Sequence, residues 1–208
     1  MARPREFDID AALDAAMMVF WRKGYENAAL PDLLDAMGIA RGSLYKAFDD
    51  KRTLYLATLD RYEARVVAPA LDSLSDPAEP DGVARIQRMM QGACAAAACA
   101  DAPPGCFMCN AAVDRAPADP EVRARVDRML QRIEDAIDAA LAEGAQTAGW
   151  TPERRREAAR LLTSAYVGLR VIARAGRPAA MLEAIVGAAI SPLQAPGDGA
   201  APPGTASH

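Results

Sequence analysis

Residues 30–48 read LPDLLDAMGIARGSLYKAF, and this stretch decides the fold of the N-terminal part of the chain. A tight turn with Gly38 at its bend joins two short predicted helices, Pro31–Met37 and Arg41–Phe48. The apolar residues of the stretch can be buried between the helices, while Arg41, Ser43 and Lys46 stay outside. This is the layout of a helix-turn-helix, whose second helix enters the major groove of DNA.

The composition of the whole chain favours helices. Among its 208 residues, 48 are alanine and 24 are the β-branched residues Ile, Val or Thr. Alanine has the lowest cost in a helix, whereas strands favour β-branched residues. We therefore expect an all-α protein.

Other features of the sequence exclude several classes of protein. No run of 18 uncharged apolar residues is present, so the sequence predicts no membrane span. The first residues are charged and do not have the pattern of a signal peptide. Four cysteines are too few for a disulfide scaffold, so we expect a cytoplasmic protein. His208 is the only histidine, which excludes metal sites and general-base catalysis built on that residue.

The charge pattern allows DNA binding only at a local cluster. The net charge of the chain is −4, which argues mildly against a nucleic-acid partner. Residues 41–52 carry Arg41, Lys46, Lys51 and Arg52 against two aspartates, a net charge of +2. Any DNA contact is therefore expected to depend on this cluster and not on a broad basic surface.

Helix start and stop signals divide the chain into three parts. We expect a helix-turn-helix domain over residues 1–50, a larger helical ligand-binding and dimerisation domain over 51–190, and a disordered Pro- and Gly-rich tail over 191–208. Caps are predicted at Asp49 or Asp50, Asp119 and Thr151. The other predicted helices are 9–23, 51 to about 74, 82–100, 106–115, 120 to about 141, 152–175 and 179–190. The helix that begins at residue 120 is expected to end by Gly149.

Residues 7–55 resemble the TetR family of one-component transcriptional repressors. The resemblance rests on Gly24-Tyr25, Met37-Gly38-Ile39, Gly42-Ser43-Leu44-Tyr45, Phe48 and Lys51 through Leu54. It implies a DNA-binding domain of three helices, a larger helical ligand domain, and a homodimer whose two DNA-binding domains bind the half-sites of a palindrome. The expected partners are therefore double-stranded operator DNA and a small-molecule inducer of unknown identity.

The resemblance also assigns residues to DNA contacts. Tyr45 matches the family's phosphate-binding tyrosine, and Lys51 matches its lysine at the start of the fourth helix. Arg41, Gly42, Ser43 and Lys46 occupy positions that face DNA, and Arg3 and Arg5 form a basic arm before the first helix. The chain departs from the family at two positions, because Ala29 and Ala40 stand where Ser or Thr usually caps a helix and contacts phosphate.

The four cysteines fall within 16 residues and allow three interpretations. A zinc site needs paired ligand arms, and Cys94 and Cys99 lie poorly on one helical face. Small apolar thiols can instead fill an alanine-rich core. The third interpretation is a sensor, because Cys106 begins a helix, whose free amides stabilise a thiolate, and Cys109 is placed to resolve an oxidised Cys106. Gly105, Cys106 and Asn110 also resemble a TetR branch that includes sensors of electrophiles and oxidants.

A ligand pocket is expected between the helices of the second domain. Flexible methionines suit an adaptable apolar pocket, although the same residues can form plain core. The candidates for the ligand or sensor site are Tyr62, Met89, Met90, Cys94, Cys106, Phe107, Cys109, Asn110, Met129, Ile133 and Tyr166.

The last two helices carry more apolar surface than one bundle can cover. Pairing with the same helices of a second chain forms a four-helix interface. The residues predicted for this interface are Leu162, Tyr166, Leu169, Ile172, Leu182 and Ile185.

The sequence therefore predicts a homodimeric TetR-type repressor, without cofactor or metal, that a small apolar ligand or a cysteine modification releases from a palindromic operator. Two alternatives belong to other classes. One is a thiol enzyme with Cys106 as nucleophile, which lacks a histidine partner. The other is a helical adaptor that has lost DNA binding, supported only by Ala29 and Ala40.

Overall fold

The computed structural model describes residues 7–98 and 105–194, and it shows an all-helical protein. Arg3, Arg5 and Cys99, which the sequence analysis singled out, lie outside the described residues. Within them, no helix is long and apolar enough to cross a membrane. The α-helices are α1 Ile9–Asn27, α2 Leu30–Met37, α3 Arg41–Phe48, α4 Lys51–Tyr62, α5 Ala68–Asp72, α6 Gly82–Ala98, α7 Phe107–Asp114, α8 Pro120–Ala142, α9 Pro152–Arg174 and α10 Ala179–Gln194.

Helices α1 to α3 form the predicted three-helix unit around Phe20, Leu33 and Leu44, which are fully buried. Gly38 ends α2 with a φ of +64°, a conformation that glycine adopts without steric cost, so the chain turns sharply into α3. The predicted end of the first helix at residue 23 is only partly right, because Gly24, with a φ of +75°, kinks α1 there and does not end it. One further helical turn then carries α1 to Asn27.

Helix α4 differs from the prediction of a single helix to about residue 74. It ends at Tyr62 and continues as a π-helical turn, Glu63–Val67, before α5 and a 3₁₀ turn, Ser73–Ser75. Pro69 explains the interruption, because it has no N–H for the carbonyl of Arg65 and its ring clashes with that carbonyl in a regular helix. The widened turn precedes the proline and relieves this conflict.

Helices α6, α8, α9 and α10 form the larger bundle, and α7 lies between this bundle and α1 and α4. Asp119 and Thr151 cap α8 and α9 through their side-chain oxygens, as predicted. Helix α8 ends at Ala142, earlier than Gly149, because Thr147 donates a hydrogen bond to the carbonyl of Leu141 and turns the chain.

The predicted start of the tail at residue 191 is wrong. Helix α10 continues to Gln194 because Leu193 is buried and holds its last turn against the core. Residues 195–208 lie outside the described part of the chain.

Candidate DNA-binding surface and buried cysteine site

Helix α3 presents one polar face to solvent. Leu44 and Phe48 are buried, whereas Arg41, Gly42, Tyr45 and Lys46 are exposed and Ser43 is half-buried. Tyr45 keeps 40% of its surface exposed, which is unusual for a tyrosine in this protein. The guanidinium of Arg41 donates a hydrogen bond to the Tyr45 hydroxyl at 3.4 Å and lies beside its ring. The predicted DNA-contact residues of α3 thus share one accessible surface.

Helices α2 and α3 begin without a side-chain oxygen at the cap. Ala29 and Ala40 occupy the two N-cap positions, so neither contributes the usual Ser or Thr acceptor. At α2, Asp32 accepts a hydrogen bond from the Ala29 amide at 3.3 Å and pairs with Lys23 at 2.7 Å. At α3, the first amides lack a side-chain acceptor at the cap and remain available to an anion such as phosphate.

Lys51 at the start of α4 lies against an aromatic ring. Its ammonium nitrogen is 4.6 Å from the centroid of Tyr25, and Arg115 lies 4.4 Å from the same ring. Burial lowers the pKa of Lys51. Lys51, which is predicted to contact phosphate, is therefore partly buried at the edge of the helix-turn-helix unit.

Arginine–carboxylate pairs join α4 to α8 and α1. Arg52 donates two hydrogen bonds to Asp119, at 2.7 and 2.8 Å, and a third to Glu121. Further along α4, Arg61 binds Asp14 of α1 in the same bidentate manner. Such paired N–H···O contacts fix orientation as well as distance. Sequence reasoning did not find them, because the partners are 67 and 47 residues apart.

Cys106 is buried at the junction of α4, α7 and α9. It is the N-cap of α7, as its position after Gly105 predicts, and only 3% of its surface is exposed. Its sulfur lies 3.3 Å from the hydroxyl of Tyr62, the last residue of α4. A hydrogen bond from the Cys109 thiol holds the pKa of Cys106 well below its usual value despite burial, with further contributions from Arg170 and Tyr62. The same hydrogen bond and burial raise the pKa of Cys109.

Arg170 of α9 supplies the positive charge at this site. Its guanidinium donates to the hydroxyls of Tyr62 at 3.3 Å and Tyr166 at 3.4 Å, and to the carbonyl of Gly105 at 3.5 Å. No carboxylate pairs with Arg170 within residues 7–98 and 105–194. Arg170 and Tyr62 therefore form a hydrogen-bonded chain that ends at the Cys106 sulfur and stabilises its thiolate. The sequence signal for Arg170 is its place four residues after Tyr166 on an otherwise apolar side of α9.

The predicted ligand pocket is largely filled by side chains. A cavity of about 10 Å³ remains, with Tyr62, Cys106, Ile133 and Tyr166 among its lining residues. Four other candidates are buried in the core and do not line it: Met89, Met90, Phe107 and Met129.

Two further candidates lie elsewhere. Cys94 lines a separate groove between α6 and α10. Asn110 donates a hydrogen bond to the carbonyl of Trp21 at 3.3 Å, which ties α7 to α1. Cys94 is thus not brought together with Cys106 and Cys109. Among the residues that the structure describes, no group of three potential ligands can hold a metal ion.

Comparison with known proteins agrees with this architecture. The model for bacterial regulatory proteins of the tetR family matches residues 12–58, and the model for the tetracyclin repressor-like C-terminal domain matches residues 82–189. The chain belongs to the TetR family. Since the relatives that it matches are named as HTH-type transcriptional regulators and a solved TetR family regulator shares its fold, it is a TetR-type transcriptional regulator.

Three relatives illustrate its place among TetR proteins. It is 33% identical to the uncharacterized HTH-type transcriptional regulator YezE of Bacillus subtilis, over 66% of this chain and 70% of YezE. It is 40% identical to the HTH-type transcriptional repressor ComR of Escherichia coli, over 52% of this chain and 51% of ComR. A solved structure of the TetR family regulator CifR, a cysteine mutant complexed with 26-bp double-stranded operator DNA, has a TM-score of 0.80 at 30% identity and covers 91% of this chain and 98% of CifR.

The residues predicted for a TetR-type dimer interface need correction. Leu162, Tyr166, Leu169 and Leu182 are buried inside the chain, so they cannot meet a second copy. Their side of α9 faces α6 and α8, because the apolar stripe of an amphipathic helix packs against its own core first. The solvent-facing side of α9 and α10, here called the outer face, carries Leu161, Ala165, Gly168 and Met181. Ile172 and Ile185 are half-buried and lie at the edge of this outer face.

Proposed function

We propose that this regulator is a repressor that binds palindromic operator DNA as a homodimer, with α3 of each copy in a major groove. The observation that carries the proposal is the exposed polar face of α3, which holds Arg41, Tyr45 and Lys46 beside the open N-terminus of the helix. The operator complex of the CifR cysteine mutant supports the same kind of partner for this chain.

The side chains of this surface have different roles. Ser43 and Lys46 face the groove and read bases, whereas the Tyr45 hydroxyl and Lys51 bind phosphates. Gly42 has open space where a side chain would stand, so the backbone can come close to a phosphate. The backbone amides beside Ala29 and Ala40 contribute to phosphate binding without the Ser or Thr hydroxyls that are usual at these positions. Arg3 and Arg5 follow the DNA backbone or enter a minor groove.

The dimer forms through the outer face of α9 and α10. Leu161 is 71% exposed in the single chain, and Ala165, Gly168 and Ile172 follow it at helical spacing. Small residues allow two helices to approach closely, and Met181 and Ile185 add apolar area from α10. Exposed apolar residues that form one continuous stripe are typical of an interface.

Modification of Cys106 releases the operator. An electrophile adds to the thiolate, or a peroxide or hypochlorite oxidises it to a sulfenic acid. Cys109 then attacks the sulfenic sulfur, water leaves, and a disulfide closes. Either product breaks the contact between Cys106 and Tyr62 at the end of α4. Since α4 also carries Lys51 and Arg52 at its other end, its displacement changes the spacing of the two DNA-binding units, which must match grooves about 34–36 Å apart.

A small apolar ligand is the second candidate trigger. The cavity beside Tyr62 and Tyr166 is about 10 Å³, room for roughly one water molecule. An organic ligand of ordinary size needs several hundred Å³ and therefore has to open this core. The filled cavity favours cysteine modification over ligand binding.

Selection of bound sequences from a random DNA pool tests the DNA-binding proposal. We expect a palindrome whose half-sites are about one helical turn apart. A chain that retains no preferred sequence, or whose selected sequence has no two-fold symmetry, contradicts the proposal.

A further inference from the structure

A surface depression, here called the outer groove, is lined by residues of α1, α7 and α9. Its volume is about 340 Å³, at the lower end of the range for small-molecule sites. It is distinct from the filled cavity of the core, because it opens on the surface between the helix-turn-helix unit and the larger bundle. Its principal lining residues are Arg22, Lys23, Cys109, Asn110, Val113 and Arg174.

Cys106 stands between the two spaces. Among the described residues it alone lines both the core cavity and the outer groove. The core cavity is too small to admit an organic reagent, so a molecule that reaches the sulfur must come through the outer groove. Cys109, the hydrogen-bond donor that stabilises the thiolate, lines the outer groove and not the core cavity.

The charges around the outer groove favour an anion. Arg22, Lys23 and Arg174 line it, and Asp114 is the one carboxylate among its described lining residues. Lys23 is already paired with Asp32 at 2.7 Å, whereas Arg22 is exposed and has no ion pair within residues 7–98 and 105–194. An unpaired arginine recognises a carboxylate through its fork of parallel N–H donors.

The rim of the outer groove also offers apolar surface. Val113 is 76% exposed and Val171 is 50% exposed, on α7 and α9 respectively. Two valines beside an arginine suit a short organic acid, since they contact its carbon chain while the guanidinium binds its carboxylate. An inorganic ion has no carbon chain that could contact the two valines.

We propose that the outer groove binds small organic electrophiles that carry a carboxylate and delivers them to the sulfur of Cys106. This inference depends on the proposed role of Cys106 as the trigger. With an α-halo acid, the thiolate sulfur forms a bond to the α-carbon and the halide leaves with the electron pair of the broken bond. With a conjugated unsaturated acid, the sulfur adds to the β-carbon, and the electron pair of the double bond takes a proton from water.

A matched pair of alkylating reagents tests the charge preference. Iodoacetate and iodoacetamide transfer groups of nearly the same size to a thiolate and differ by one negative charge. The ratio of their rates at Cys106, located by peptide mass spectrometry, does not depend on the thiolate fraction, because that fraction is the same for both reagents. N-acetylcysteinamide, a neutral free thiol, supplies the reference ratio.

We expect the ratio of iodoacetate to iodoacetamide rates at Cys106 to exceed the reference ratio by about threefold or more, as one favourable charge near the surface predicts. This preference should disappear in 0.5 M NaCl. Arg22→Gln should lower the iodoacetate rate and leave the iodoacetamide rate unchanged, whereas Arg22→Lys should retain the preference. Arg154→Gln is the matched control, because it lies 20 residues before Arg174 on α9, about 30 Å away at 1.5 Å per residue.

A ratio at Cys106 equal to or below that of the free thiol overturns the proposal, and so does an Arg22→Gln variant with an unchanged ratio. Arg22 is exposed, so its substitution does not threaten folding. This outcome can be told apart from a failure of the proposed trigger. If the two reagents modify Cys106 with the rate ratio of the free thiol and the modified protein still releases the operator, Cys106 is a trigger but the outer groove does not select anions.

Discussion

The surface of α3 and the site around Cys106 use charged and polar side chains in opposite ways. On α3, Arg41, Tyr45 and Lys46 are exposed and held by few contacts, so they can rearrange to meet DNA. At the cysteine site, Tyr62 and Cys106 are buried and each polar contact is fixed by a neighbouring helix. Loss of one exposed contact therefore weakens binding gradually, whereas one modification of a buried thiol disturbs three helices at once.

The largest effect is expected from a substitution at the proposed dimer interface, because the dimer joins two α3 surfaces in one molecule. Leu161→Glu places a carboxylate on the outer face of α9 and should produce monomers, because each interface would bury that charge twice. Operator affinity should then fall by about 10²–10⁴-fold, since binding to two half-sites is no longer linked. Sedimentation and fluorescence anisotropy measure both changes.

Val113→Glu is the control for that substitution. Val113 is also an exposed apolar residue, but it lies on α7 beside the outer groove. It should leave the protein dimeric and fully able to bind DNA. A Leu161→Glu protein that sediments as a dimer would place the interface elsewhere.

Substitutions on α3 should separate base reading from phosphate binding. Lys46→Ala should change the preferred operator sequence and cost about 1–3 kcal/mol in binding to the original site, the range for one bidentate base contact. Tyr45→Phe removes a hydroxyl that faces phosphate, so it should weaken binding to all sequences by a similar factor. Competition assays with altered operators distinguish the two. If Lys46→Ala changes neither affinity nor preference, α3 is not the reading helix.

The buried site predicts a change in thiol chemistry when its cation is removed. Arg170→Gln should move the midpoint of the pH profile for Cys106 alkylation upward by about one pH unit or more, as loss of a nearby opposite charge does. Arg154→Gln on the same helix should leave the midpoint in place. An unchanged midpoint in Arg170→Gln would show that Cys109 and Tyr62 alone stabilise the thiolate.

The smallest effect concerns the ion pair that joins α1 to α4. The side-chain hydrogen bond from Arg61 lowers the pKa of Asp14 from 3.8 to about 2. The folded state therefore gains stability from ionised Asp14 above about pH 4 and loses it as the pH falls toward 2. Asp14 is partly exposed, so the contribution is about 1 kcal/mol or less. Asp14→Asn should flatten this part of a plot of Tm against pH, and a retained slope would assign it to another carboxylate.

The two sites also differ in how far the sequence predicts them. The helix-turn-helix follows from one continuous stretch, since Gly38 and the spacing of Leu33 and Leu44 set the turn and the buried face locally. The caps at Asp50, Asp119 and Thr151 were predicted for the same reason. Each of these signals involves residues that are close together along the chain.

The cysteine site could be predicted only in part. The place of Cys106 at a helix start is local and visible in the sequence, but its partners Tyr62 and Arg170 lie 44 and 64 residues away along the chain. The same limit explains the interface error, because an apolar stripe on α9 looks alike whether it meets its own bundle or a second copy. Pro69 was a local signal for the π-helical turn, but the pattern of apolar residues favoured one continuous helix to about residue 74.

Operator release measured against the extent of Cys106 alkylation tests the central claim most directly. The protein, bound to labelled operator, is treated with increasing N-ethylmaleimide, and anisotropy and peptide mass spectrometry are recorded on the same samples. We expect the released fraction of operator to rise with the modified fraction of Cys106. The Cys94→Ser protein should release operator as the unmodified sequence does, and the Cys106→Ser protein should release none. Full release from Cys106→Ser, or operator that stays bound when Cys106 is fully alkylated, would contradict the account.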